Sequence, residues 1–164
     1  MIALPDGQPG MLEAGPHNKP RCQVLELVTN LRCYELEGPV WIRRRAIPLT
    51  AEQSADLTAF ALAQDGKPFA LVRLAGQLTP LRSRGPIRTR FVGGPHGERR
   101  SYFCSELVTE ACVAGGLLDP ATARPAATYP SDLFFDRSRN PYLARNLRLA
   151  PDWEPPARWT SHQD

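Results

Sequence analysis

Cys104 heads the run Cys104-Ser105-Glu106-Leu107-Val108, and its place in that run makes it a candidate for chemistry. Leu107, Val108, Ala111 and Cys112 recur at helical spacing, Glu106, Thr109 and Glu110 fall on the other side, and Gly115-Gly116 ends the pattern. The spacing predicts an amphipathic helix over 102–114 with Cys104 in its first turn. A thiol there meets unpaired backbone N–H groups and the positive end of the helix dipole. Both favour thiolate, the nucleophilic form. The same N–H groups can hold the oxyanion of a tetrahedral intermediate. The competing reading is a small hydrophobe at the edge of a core. That second reading is the expectation for Cys22, Cys33 and Cys112, taken as reduced and buried. The four cysteines contain no CxxC and no Cys/His metal spacing, so no metal is expected.

The elements that would position this thiol read as follows. Residues 1–7 look like the end of a strand running into a Pro-Asp-Gly turn, and 11–14 like the returning strand. A third strand covers 22–27. The run 30–38 is ambiguous, and 39–45 is rich in β-formers. Thr50 with Gln53 three residues on makes a capping box for a helix that Gly66 closes. Residues 67–100 are basic and turn-rich, as a mobile loop or lid would be, with a strand at 69–74. A compact turn at 129–136 and a strand at 142–153 follow. One domain is expected over 1–153, with 154–164 a flexible tail. Strands and helices are segregated rather than alternating, which predicts an α+β fold.

The run Tyr102-Phe103-Cys104-Ser105-Glu106-Leu107-Val108, followed by Tyr129-Pro130-Ser131-Asp132-Leu133, resembles the C-terminal signature of the circularly permuted NlpC-type papain-like cysteine hydrolases. These form the YiiX/YebB-like branch, distant relatives of lecithin retinol acyltransferase. A hairpin ending in Glu13-Ala14 and Leu49-Thr50-Ala51-Glu52-Gln53 opening a helix match more loosely. The resemblance implies a permuted papain-like fold, with an antiparallel sheet or partial barrel packed against the Cys104 helix. It implies Cys104 as nucleophile, Glu13 as the carboxylate that orients the catalytic imidazole, and Tyr102 as an oxyanion or site-lining group. Ser131 and Asp132 are expected to build a turn. No cofactor is implied. The substrate would be a peptide, a cell-wall amide or an acyl lipid, cleaved or transferred through an acyl-enzyme.

The family's histidine precedes the Asp-Gly turn, in a strand that here is reduced to Met1-Ile2-Ala3-Leu4. The chain therefore reads as N-terminally truncated, through a misassigned start or as a shortened and inactive relative. His17 and His96 are the substitute bases to consider, with His162 in the tail. A chain without the base would instead be a lipid- or peptide-binding module.

The net charge of +3 on 164 residues gives no case for nucleic acid. Basic residues do cluster at Arg43-Arg44-Arg45 and within 82–100, which leaves peripheral contact with a membrane headgroup open. The sequence shows neither a secretory signal nor an apolar run near the ~20 residues of a membrane span. As written, the chain is expected to be cytoplasmic.

Overall fold

The computed structural model describes residues 2–15, 20–76, 96–135 and 152–161. Among these residues the strands and α-helices follow in chain order as β1 (Ile2–Ala3), β2 (Pro9–Gly15), β3 (Arg21–Glu26), α1 (Leu27–Glu37), β4 (Val40–Ile42), α2 (Ala51–Gln64), α3 (Leu71–Gly76), α4 (Cys104–Ala114), α5 (Pro130–Phe135) and β5 (Ala157–Trp159), with a short 3-10 turn at Pro125–Ala127 between α4 and α5. Strands β1, β2 and β3 form one antiparallel sheet in that order, and β4 pairs with β5 in a second. The fold is α+β, as the sequence predicts.

The hairpin turns where Pro-Asp-Gly demands it. Gly7 sits at φ 81, which favours glycine, and Asp6 accepts the Gln8 N–H at 3.0 Å. The Thr50 capping box forms in both directions, each bond 3.1 Å long. Helix α2 then packs against α4 so closely that a Cβ on Gly115 would lie 2.7 Å from Leu57 Cγ. Only glycine permits that approach without displacing Leu57.

A backbone zipper ties the sheet to α4. Cys22 donates to Lys67 O at 2.7 Å and Phe69 to Pro20 O at 2.7 Å, while Ala70 donates to Tyr102 O at 2.7 Å. The chain at 66–70 is thus stitched to the start of β3 on one side and to Tyr102 on the other. Ala14, Cys22, Phe69, Ala70, Tyr102, Phe103 and Leu107 make the core at this junction, with Leu12 and Phe60 packed against it. Closure of these side chains supplies the hydrophobic stabilisation that fixes where α4 begins.

Four expectations change. The ambiguous run 30–38 belongs to α1, started by the Glu26 carboxylate, which accepts from Val28 N at 2.7 Å and Thr29 N at 2.6 Å. The strand expected at 69–74 is only a one-residue bridge at Phe69, and the chain turns helical at Leu71. That bridge exhausts the pairing Tyr102 offers, and Arg73 is then drawn inward by the carboxylate of Glu106. The tail expected to fray supplies β5, whose Trp159 pairs with Val40. Cys33, expected to be buried, is exposed on α1, whereas Cys22 and Cys112 are buried as expected. The expected lid lies largely outside the described residues, as does most of the strand at 142–153.

Candidate functional site at the start of the Cys104 helix

Cys104 is the first residue of α4 and is half-buried. Phe103 precedes it in extended conformation, and a phenyl ring offers no acceptor to the helix amides. Glu106 does reach back, accepting the Phe103 N–H at 3.4 Å. The amides of Cys104, Ser105 and Glu106 donate to no group among the described residues. Three unsatisfied donors beside a thiol are the arrangement the sequence predicts there.

The rest of α4 buries Leu107 and Cys112 as expected, but it buries the polar side as well and leaves Val108 out. Glu106, Thr109 and Glu110, the polar face by sequence spacing, are 0%, 0% and 3% exposed, while Val108 is 45% exposed. The cause is a set of cations and donors brought over the carboxylates. Arg73 forks onto Glu106, with Nη1–Oε1 at 3.1 Å and Nη2–Oε2 at 3.0 Å, and Arg99 Nε lies 3.2 Å from Oε1. Glu110 accepts from Gly97 N at 3.1 Å and from Arg99 Nε at 3.3 Å. Burial pushes both carboxyls above their ordinary range, and the arginines pull them partly back. Ser105 donates to Thr128 O at 2.7 Å and Thr109 to Ser105 O at 2.8 Å, which completes a satisfied polar side. The sequence signal for this network was present, since both glutamates and Arg99 are in plain view. What it lacked was the inward turn of α3.

The side chains expected around Cys104 are directed elsewhere. Glu13 lies on β2 between Leu12 and Ala14, which face the core that contains Phe103 and Leu107. Strand alternation puts Glu13 on the opposite face of the sheet, where its carboxylate accepts the Tyr34 hydroxyl of α1. The assignment of Glu13 as orienter of a base at Cys104 is therefore not assembled in this structure. His96 is 44% exposed, with Nδ1 4.0 Å from Glu110 Oε2. Glu110 is six residues past Cys104, about 9 Å along the axis and round on another side of the helix. His96 thus belongs to the carboxylate network rather than to the thiol.

Tyr102 is fully buried; its hydroxyl accepts the Arg99 N–H at 3.1 Å and Lys67 Nζ sits 5.8 Å from its ring centroid. It is a core aromatic and not a site-lining one. Asp132 does build the turn expected of it, accepting the Tyr129 N–H at 2.9 Å. His17 and His162 lie outside the described residues. Among the described residues, no cluster of His, Cys, Asp and Glu side chains could hold a metal ion. None of their helices is long and apolar enough to cross a membrane. Comparison with family models, curated proteins and solved structures finds no match for this chain.

Proposed function

We propose that the chain is a thiol-dependent acyl-transfer enzyme of the permuted papain-like type, with Cys104 as its nucleophile. One observation carries the reading: a half-buried thiol on the first residue of α4 stands beside three main-chain N–H groups that donate to no group among the described residues. The Cys104 thiolate attacks the carbonyl carbon of an ester or amide, and an S–C bond forms. The amides of the first turn receive the oxyanion. Collapse expels the leaving group, and water then hydrolyses the thioester. The resemblance of 102–108 and 129–133 to the cysteine hydrolase signature supports the same assignment, with peptides, cell-wall amides and acyl lipids as the substrate classes.

The directions of Glu13 and His96 favour a second reading, a binding module without turnover. General acid–base assistance is worth ~10²–10⁴-fold in rate, so a thiolate without a base acts best on esters whose leaving groups need no proton. The test is acylation by p-nitrophenyl acetate, read by released nitrophenol and by intact-protein mass. Stoichiometric acetylation at Cys104, abolished by Cys104→Ala and retained in Cys112→Ala, supports the nucleophile. An adduct on another cysteine, or none, overturns it in favour of the binding module.

A further inference from the structure

Cys104, Val108, Ala111 and Gly115 follow one another at i, i+4, i+7 and i+11, so they form one stripe running from the thiol along α4. The stripe is open at the thiol end and closed at the other. Cys104 and Ala111 are half-buried and Val108 is 45% exposed, whereas Gly115 is buried beneath Leu57 of α2. Helices α2 and α4 run antiparallel, because the chain leaving α2 pairs at 68–70 with Tyr102, just ahead of α4. From its contact with Gly115, α2 leans toward the Leu107 side, where Phe60 joins the core, and so leaves Val108 uncovered. On the other flank Ser105 donates to Thr128 O at 2.7 Å, which holds the Pro125–Ala127 turn against α4. The result is a trough over Val108 and Ala111, with the thiol at its head and Leu57 at its foot.

We propose that this trough receives the acyl chain of the substrate and that Leu57, packed on Gly115, sets its length limit; the inference rests on Cys104 being the nucleophile. When the thiolate sulfur bonds an ester carbonyl carbon, the leaving group departs with the electron pair of the broken C–O bond, and the acyl chain stays on Cys104. Apolar surface then draws that chain along Val108 and Ala111. A helix rises about 1.5 Å per residue, so Ala111 lies about 10 Å and Gly115 about 16 Å from Cys104 along the axis, room for roughly eight to ten carbons before Leu57 blocks the way. A peptide in the same place would need partners for its own backbone N–H and C=O groups. The side chains of Val108, Ala111 and Leu57 offer none.

Acylation of the full chain by p-nitrophenyl esters from acetate to laurate, each below its aggregation concentration, tests the limit. Nitrophenolate release and intact-protein mass are the readouts, and the exposed Cys33 is the reference thiol. The Cys104 rate is expected to rise about twofold per added methylene as far as octanoate or decanoate, then to level off. Ala111→Leu, which fills the trough, should bring the break down to hexanoate, and Leu57→Ala should let the rise continue to laurate. Ala111 is half-exposed, so the melt of its variant should match the parent chain and the shift can be read even if Leu57→Ala is destabilised. Octanoate should also react faster than the nitrophenyl ester of an N-acetylated dipeptide; the reverse order overturns the proposal in favour of a peptide. A chain-length series parallel to that of Cys33, or a break that neither variant moves, overturns it and leaves the nucleophile in place. Absence of any acetate adduct on Cys104 overturns both.

Discussion

On one side of α4, Glu106 and Glu110 are sealed beneath Arg73, Arg99 and the Gly97 amide; on the other, Cys104, Val108 and Ala111 follow one another at i, i+4 and i+7, half-buried or exposed. The buried surface of α4 thus includes two carboxylates along with Leu107 and Cys112. Apolar burial alone would have rotated this helix to hide Val108. The rotation observed satisfies two carboxylates that would otherwise be desolvated without partners, a cost of several kcal/mol per ion. Directional contacts of this kind fix azimuth as well as depth, because a fork of two Arg73 nitrogens on Glu106 tolerates little rolling. The consequence for the open side is that the thiol is held at one angle by groups that never touch it.

The sharpest way to break this comparison is to remove the clamp. Glu106→Ala leaves the Arg73 and Arg99 guanidiniums facing each other over a void, and should cost about 3–5 kcal/mol of unfolding free energy in a urea titration. A loss below about 1 kcal/mol would mean that apolar contacts at Leu107 set the helix after all. Next in size is the contrast between two cysteines of the same helix. Burial raises the Cys112 thiol to about 11, so only on the order of a thousandth of it is thiolate at pH 8. Iodoacetamide should modify Cys104 ~100-fold faster than Cys112 in the folded chain. Cys22, also raised to about 11 by burial, should be as protected as Cys112. Cys33 gives the internal reference, since it is exposed without a helix N-terminus. Cys104 labelling more slowly than Cys33 would remove the reason to single it out.

How much of this could be read beforehand divides along the range of the forces involved. The hairpin, the α2 capping box, the start of α4 and the Asp132 turn were legible because each is set by residues within a few positions of one another. The face that α4 buries was not. It depends on Arg73, 33 residues from Glu106, arriving from a segment whose β-forming residues promised a strand. The same range effect explains Glu13. Its strand was legible, but which face of β2 meets α4 was decided by Leu12 and Ala14 joining the core around Phe103. The tail failed for the opposite reason: three residues of β5 gain order only by pairing with Val40–Ile42, more than a hundred positions away.

A subtler probe of the buried side is its pH response. The Glu110 carboxyl sits above its ordinary range because burial outweighs the Gly97 amide and Arg99. An acid that holds its proton more tightly folded than unfolded stabilises the fold at low pH. That contribution fades as pH rises from the ordinary carboxylate value through the raised one. Unfolding free energies of the parent chain and Glu110→Gln, measured across pH 4 to 7, should therefore diverge, with the parent losing ground as pH rises. A difference that moves the other way would show that the Arg99 pairing outweighs desolvation.

The smallest expected effect belongs to the open side. Val108 is 45% exposed and lies one turn beyond Cys104, so Val108→Ser removes two methyl groups from a half-wetted surface and adds a hydroxyl that water can satisfy. Valine and serine have similar helix propensities, so the backbone gives no further term. The stability change should stay within about 0.5 kcal/mol, in keeping with surface substitutions generally. The informative readout is acylation of Cys104 by nitrophenyl esters of increasing chain length. A Val108 that lies beneath the acyl group should make the serine variant lose rate toward long chains and keep it toward acetate. Equal loss for every chain length, or none, would separate Val108 from the substrate path and leave the open side defined by its thiol and its amides.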